Sequence, residues 1–374
     1  MTQLTNNGKP IRVIISGGGT GGHIFPAVAI ANELKAMDAK TEILFVGAEG
    51  KMEMQKVPQA GYQIIGLPIS GIRRELTLSN LAFPFKLIKS LWKARKVVKD
   101  FQPNVAVGVG GYASGPLLFA AGQSGIPTLI QEQNSYAGLT NKWLAGKAST
   151  ICVAYEGMEK FFPKNKIKLT GNPVRKDIAQ GTDKRLEALS FFGLSDTKKT
   201  LLVIGGSLGA RTINESMEKG LGRLLEAGYQ VVWQTGKGFI ERASALAASL
   251  NSDSVKVFEF ISAMDLAYAV ADAVVSRAGA LSVSELCLVA KPAILVPFPF
   301  AAEDHQTQNA MALVKRKSAI LITDAEAKDK LVAAALDLLG NEAKRKELSD
   351  NIRQSAKPAA ARTIAEEVIR LAGR

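Results

Sequence analysis

Three times in this chain a short aliphatic run empties straight into a glycine-rich turn, and that pattern restricts the fold more than any other feature. Ile11 to Ser16 leads into Gly17-Gly18-Gly19-Thr20-Gly21-Gly22-His23. Val105 to Val109 leads into Gly110-Gly111-Tyr112-Ala113-Ser114, and Thr200 to Ile204 into Gly205-Gly206-Ser207-Leu208-Gly209-Ala210. Residues without side chains let the main chain bend sharply and let a ligand approach it. A helix that follows turns its unpaired N–H groups and the positive end of its dipole toward the same point. Strand, turn and helix in this order belong to parallel sheets covered by helices, so an α/β fold is expected.

The alternation continues through Glu42 to Val46 and Ser114 to Ser124. It restarts at Thr200 and runs on through Gln230 to Gln234, Val255 to Phe258, Ala273 to Ser276 and Ala293 to Pro297. With 374 residues, two doubly wound parallel sheets are expected, one per domain. The junction is read at Gly171-Asn172-Pro173-Val174, where glycine and proline end the first pattern, and an amphipathic helical segment closes the chain. No apolar run approaches the roughly 20 residues that span a bilayer. Met1 to Pro10 is polar without an apolar signal core, which reads as a cytoplasmic protein. Cys152 and Cys287 lack metal-ligand spacing and read as buried, reduced thiols.

The spacing Gly17, Gly19, Gly22 also satisfies a dinucleotide fingerprint. The acid that grips a ribose should then end the second strand, and Glu49 is the candidate, so a nicotinamide-dependent enzyme stays open at this point. Ser207 adds a hydroxyl that can reach a phosphate oxygen. The turn at Gly110 serves either a ligand or close strand–helix packing. In Ser276-Arg277-Ala278-Gly279-Ala280-Leu281-Ser282-Val283-Ser284-Glu285, a cation and a glycine precede a helix start. Arg277 and the amides near Ala280 suit a leaving diphosphate, and Glu285 suits ribose hydroxyls. No Asp-x-Asp pair and no histidine cluster occurs, so no metal is expected.

The net charge of +13 calls for an anionic partner, and between Ile72 and Lys99 eight basic residues face Glu75 alone. From Pro84 this segment reads as a helix. Leu87, Leu91, Ala94 and Val98 form one apolar stripe, and Phe85, Ile88 and Trp92 form a second beside Lys86, Lys89, Lys93 and Lys96. A core helix needs one stripe, and an aromatic second stripe among lysines suits a helix lying in anionic lipid headgroups. The competing reading buries both stripes and leaves a solvated basic edge. Nucleic acid is not expected, because no binding-helix or aromatic–basic sheet signature accompanies the charge.

With these residues in place the chain resembles the undecaprenyldiphospho-muramoylpentapeptide β-N-acetylglucosaminyltransferases of glycosyltransferase family 28, over nearly its whole length. The resemblance rests on seven motifs in order. They are the His23-terminated loop, Gly110-Gly111-Tyr112, Gln131-Glu132-Gln133-Asn134, Gly171-Asn172-Pro173-Val174-Arg175, the Ser207 loop, Ala280 to Glu285, and Asp304-His305-Gln306. It implies two Rossmann-like domains facing a cleft, the GT-B arrangement. The first, 1–171, would serve the acceptor and the membrane, and the second, 172–346, would bind the UDP sugar. The segment 347–374 would form a helix packed back on the first domain.

The resemblance implies inverting transfer of N-acetylglucosamine from UDP-N-acetylglucosamine to the C4 hydroxyl of a lipid-linked muramoyl-pentapeptide, lipid I, giving lipid II. No cofactor or metal is implied. The setting would be the cytoplasmic face of the bacterial inner membrane, as a peripheral protein among other cell-wall synthesis proteins. Carried over by position, donor contacts are Thr20, Gly21, Gly22, Asn134, Arg175, Ser207, Ile261 through its main chain, Ala280 to Glu285, and Gln306. Gly18, Gly19, Gly110, Gly111 and Tyr112 fall on the acceptor diphosphate. His23 is the candidate general base, since imidazole titrates near neutrality and a helix start favours its neutral form. His305 is expected to orient the Gln306 loop. The family often has histidine where this chain has Gln131, so no acid–base role is carried to that position. Another UDP-sugar enzyme of the same fold, a glycolipid synthase or an epimerase, is the nearest alternative.

Overall fold

In the computed structural model of the chain, residues 5–6, 9–70, 83–179, 184–206 and 208–373 are described. The chain divides into two compact units, one of Met1–Arg175 with Ala359–Arg374 and one of Lys176–Pro358.

In the first unit, β1 (Thr5–Asn6) and β2 (Lys9–Pro10) form a small antiparallel pair. There follow β3 (Arg12–Ser16), α1 (Gly21–Met37), β4 (Glu42–Ala48), α2 (Glu53–Gln59), β5 (Gln63–Leu67), α3 (Phe83–Phe101), β6 (Val105–Gly108), α4 (Ser114–Gln123), β7 (Thr128–Glu132), α5 (Leu139–Ala145), β8 (Thr150–Val153) and β9 (Ile167–Leu169). The sheet is parallel with order β5-β4-β3-β6-β7-β8-β9. Its strands are apolar at nearly every position because helices cover both faces: Ile14, Val46, Ala106 and Ile130 enter one core, and Val13, Ile15, Phe45, Val107 and Leu129 the other.

The second unit opens with the short α6 (Lys176–Ala179) and α7 (Arg185–Phe192). It continues with β10 (Thr200–Ile204), α8 (Arg211–Glu226), β11 (Gln230–Gln234), α9 (Ile240–Ser249), β12 (Val255–Phe258), α10 (Met264–Val270), β13 (Ala273–Ser276), α11 (Ala280–Val289), β14 (Ala293–Leu295), α12 (His305–Val314), β15 (Ile320–Leu321), α13 (Ala327–Gly340) and α14 (Glu342–Arg353). Its sheet is also parallel, in the order β12-β11-β10-β13-β14-β15. Both sheets therefore start at an inner strand, run outward one way and reverse.

Two boundaries differ from the expectation. The first unit extends to Arg175 because the Asn172 side chain is buried against Gln131 and Gln133, so the Gly171–Val174 stretch belongs to that sheet's edge. The closing segment is not one helix. Glu342–Arg353 stays with the second unit, where Leu348 and Ile352 are buried and the Ser349 hydroxyl bonds the Ala290 carbonyl. Pro358 has no N–H and disfavours helix before it, so the chain breaks and begins again as α15 (Ala360–Ala372). This last helix packs on α1, burying Ile364, Ala365, Val368 and Leu371 in the first unit's core. Its Glu367, almost fully buried, accepts from Thr150 Oγ1 at 2.8 Å and from Lys168 and Arg370. Together these bonds tie the helix to β8 and β9.

Candidate active site

In each sheet the strand order reverses between the first strand and its inner neighbour, and the loops leaving the carboxyl ends there are where open α/β sheets hold ligands. In the first unit those loops follow β3 and β6. The Gly18 N–H donates to the Gly110 carbonyl at 3.3 Å, and Ser114 Oγ donates to the carbonyls of Ser16 and Gly110 at 3.1 and 2.9 Å. Gly111, at φ +91°, could not carry a side chain, since a Cβ would meet the Gly18 carbonyl oxygen at 2.5 Å. Thr20 is extended and caps α1, whose first helical residue is Gly21. The N–H groups of Gly21 and Gly22 in this first turn lack helical acceptors.

His23 is half-buried, with Nδ1 2.9 Å from the Gly18 carbonyl oxygen and 3.5 Å from Thr20 Oγ1. A carbonyl only accepts, so Nδ1 carries the proton and Nε2 holds the lone pair. The Nε2 edge lies where Gly110 has no side chain: a Cβ there would stand 2.7 Å from it.

Two expectations for the loop change. The Gly18 and Gly19 amides are not open to a diphosphate, because Gly18 N–H is taken by Gly110 and Gly19 N–H by Glu53 Oε2 at 2.8 Å. Glu53, which sequence reasoning missed, is 1% exposed and also accepts from the Ala48 N–H at 3.0 Å. The glycines at 18 and 47 make room for it, since a Cβ would come within 2.2 Å of its Oε1 and 2.6 Å of its Cγ respectively. A buried Glu five residues after a strand, facing two glycines, was the available signal. Glu49, the acid a dinucleotide would need, instead pairs with Lys93 at 2.8 Å.

At the end of β7 the expected polar motif forms a buried lattice. Gln131 Nε2 donates to Asn172 Oδ1 at 3.0 Å, Asn172 Nδ2 to the Gln133 carbonyl at 3.0 Å, and Gln133 Nε2 to the Val109 carbonyl at 2.6 Å. Glu132, 2% exposed, clamps the next turn by accepting from the N–H groups of Asn134 and Gly138 and from Asn141 Nδ2. Asn134 and Arg175 are half-buried, and Tyr112 is half exposed.

In the second unit the turn after β10 packs tightly on the turn after β11: a Cβ at Gly209 would lie 1.9 Å from the Thr235 carbonyl oxygen. Ser207 lies outside the described residues. Gln234 ties the loop after β10 to Ile261, an expected contact, donating to the Gly206 carbonyl at 3.0 Å and accepting from the Ile261 N–H at 2.8 Å. The Ile261 amide is thereby occupied, which leaves its carbonyl for any main-chain contact with a base.

Arg277 departs from its expected role. It is 8% exposed, and its Nη1 reaches the carbonyls of Val296 and Pro297 at 3.1 and 3.0 Å and Asp324 Oδ1 at 2.5 Å. Asp324 Oδ2 accepts from Thr212 Oγ1 at 2.8 Å. The guanidinium thus braces the loops after β13, β14 and β15 and the start of α8 rather than facing a diphosphate. A cation next to a glycine before a helix looks alike in sequence in either role.

Gly279 is extended and starts α11, and Ala280, Leu281 and Ser282 supply its first turn. Val283 is 1% exposed, so only its main chain is available. The Ser284 hydroxyl bonds back to the Ala280 carbonyl, and Tyr268 OH donates to Glu285 Oε2 at 2.9 Å. Gln306 Oε1 accepts the Phe298 N–H at 3.0 Å, and His305 Nδ1 donates to the Ala302 carbonyl at 2.5 Å, closing the turn before α12.

Residues 13–153 match the glycosyltransferase family 28 N-terminal domain, and residues 200–364 match the family's C-terminal domain. The chain is 57% identical over 367 residues to the UDP-N-acetylglucosamine–N-acetylmuramyl-(pentapeptide) pyrophosphoryl-undecaprenol N-acetylglucosamine transferase of Bacteroides fragilis. That alignment covers 98% of this chain and 97% of that protein. This chain belongs to glycosyltransferase family 28. The identically named protein of Cytophaga hutchinsonii is 57% identical, with 97% of each chain covered. The crystal structure of MurG from Acinetobacter baumannii superposes with a TM-score of 0.78 at 29% identity, covering 96% of this chain and all of that one.

In this family 28 glycosyltransferase neither cysteine supplies a nucleophile, because burial pushes both thiols up to about 12. Among the described residues no group of three or more His, Cys, Asp or Glu is placed to hold a metal ion, and no helix is long and apolar enough to cross a membrane. Arg73 and Arg74 lie outside the described residues. On α3, Ala94 and Val98 are buried, with Leu87 packed against the core, whereas Phe85, Ile88 and Trp92 are 76%, 55% and 71% exposed. The two-sided burial of this helix is thereby excluded. Lys86 donates to Ser70 Oγ, and Lys93 pairs with Glu49. Sequence reasoning missed Leu139 and Trp143 on α5, which are also exposed. Trp143 stacks on Phe119 of α4, with Lys147 over the same ring.

Proposed function

We propose that this glycosyltransferase moves N-acetylglucosamine from UDP-N-acetylglucosamine to the C4 hydroxyl of a muramoyl-pentapeptide carried on a polyprenyl diphosphate, with inversion. The observation that carries the reading is identity above half along nearly the full length of relatives so named. The site's chemistry supports it. His23 Nε2 takes the proton of the attacking hydroxyl while the C4 oxygen bonds to the anomeric carbon and the UDP oxygen leaves. Thr20 and the first-turn N–H groups of α1 at Gly21 and Gly22 serve the donor, and Gly110, Gly111 and Tyr112 serve the acceptor's anionic end.

On the donor side, the helix start at Ala280, Leu281 and Ser282 meets the growing charge on the diphosphate. Glu285, steadied by Tyr268, takes ribose hydroxyls, the Ile261 carbonyl reads the uracil, and Gln306, Asn134 and Arg175 complete the sugar's contacts. No metal is needed for this charge, because dipoles supply it. The exposed stripe of α3 with its lysines holds the enzyme on an anionic membrane surface at the cytoplasmic face, where the acceptor's lipid tail is anchored. The deciding experiment offers labelled UDP-N-acetylglucosamine to the enzyme with a short-chain muramoyl-pentapeptide lipid or with diacylglycerol. Transfer to the first alone is expected. Transfer to diacylglycerol, or epimerisation without transfer, would overturn the assignment.

A further inference from the structure

The carbonyl that His23 Nδ1 grips and the N–H that Glu53 grips belong to one peptide group, the bond joining Gly18 to Gly19. Glu53 Oε2 is 2.8 Å from the Gly19 nitrogen, and His23 Nδ1 is 2.9 Å from the Gly18 oxygen. A buried carboxylate, an amide and an imidazole therefore stand in line, each donating to the one before it. We propose that Glu53 is a positioning residue for His23, acting through this single peptide to hold the ring with Nδ1 protonated and Nε2 as the basic nitrogen. The inference rests on the reading of His23 as the base.

The physics is that of a carboxylate orienting a catalytic imidazole, with an amide inserted between them. A carboxylate on the N–H side polarises the peptide and makes its oxygen a stronger acceptor for Nδ1–H. When the acceptor hydroxyl gives its proton to Nε2, the ring becomes an imidazolium, and its Nδ1–H bond to the Gly18 oxygen strengthens. The proton stays on the ring, and Glu53 remains a carboxylate throughout. The local sequence serves this line-up. Glu53 is fixed at its other oxygen by the Ala48 N–H, Gly18 and Gly47 leave space for its side chain, and Gly110 leaves space for the ring. Each of these glycines would otherwise drive a Cβ into Glu53 or His23.

The chain has only two histidines, His23 and His305, so ¹⁵N-histidine labelling gives two ring spectra, separable by a His305→Gln sample. In the full-length enzyme, His23 is expected as the Nδ1-protonated tautomer. In Glu53→Ala the tautomers should mix, and kcat should fall about 10- to 100-fold, the scale set by losing an outer partner of a functional imidazole and well short of the roughly 10⁴-fold loss of a directly bonded triad carboxylate. The donor KM should stay within about twofold. Glu53→Gln can still accept from Gly19 but turns an N–H toward Ala48, so it should fall between the two, and it preserves the test if the alanine variant does not fold. An unchanged His23 tautomer together with an unchanged kcat in either folded variant overturns the proposal. Loss of the tautomer with full turnover would support the line-up but remove His23 as the base.

Discussion

Asp324→Ala tests whether the second unit's site is braced from below. The carboxylate, with a side chain 20% exposed, lies 2.5 Å from Arg277 Nη1, whose own side chain is 10% exposed, and it also accepts from Thr212. Removing one partner of a buried pair costs about 3–5 kcal/mol, because the other charge is left uncompensated. Here the Val296 and Pro297 carbonyls still face the guanidinium and part of the pair is wet, so about 2–4 kcal/mol is expected. For a unit of this size that corresponds to a fall in Tm of roughly 4–16 °C. The assay is thermal unfolding of the full chain, with and without UDP, for Asp324→Ala, Arg277→Met and the double variant. The two singles should each destabilise, and the double should cost less than their sum by about 1–3 kcal/mol, the coupling of a contacting pair. The donor KM should rise in both singles, since four loop ends lose their common anchor. Singles within about 0.5 kcal/mol of the parent, with no coupling, would refute the bracing role.

Four further outcomes follow from the same geometry. Glu367 is held down to about 2 by Arg370, Lys168 and Thr150 against the opposing effect of burial. Its folded value is thus below its unfolded one, so the stability it adds is present above pH 4.5 and is lost as pH falls from there toward 2. Comparing Tm with Glu367→Gln across that window should show the difference, at most about 3 kcal/mol, vanish at the acid end. His23→Ala should lower kcat by about 10²–10⁴-fold with the donor KM nearly unchanged. Gly110→Ala should also slow turnover, because a Cβ cannot coexist with the ring as placed and φ is +105°. Trp92→Glu with Ile88→Glu should weaken sedimentation with anionic vesicles but leave the unfolding free energy within about 1 kcal/mol of the parent, since both side chains are exposed. A large Tm loss would mean that this face is packed.

Much was settled by the residues alone. Continuous apolar strands ending in glycine can be buried on both faces only in parallel sheets, so Ile11 to Ser16 and Thr200 to Ile204 fixed the architecture through local pattern. The exposed aromatic stripe of α3 followed from helical period. What local pattern cannot contain is which partner a charge or an amide finds. Gly18 and Gly19 look open to a ligand until the loop after β6 and Glu53, 34 residues beyond Gly19, take their N–H groups. Arg277 looks like a ligand for phosphate until Asp324, 47 residues on, turns it into a brace. The same holds for the closing helix, whose place against α1 and β8 is decided by Glu367 meeting Lys168 and Thr150 across about 200 residues of chain. Hydrogen bonds and burial are satisfied in space, whereas periodicity and turn chemistry are local. Sequence therefore determined the elements and their loops, and only the tertiary structure decided which polar groups remain available for chemistry.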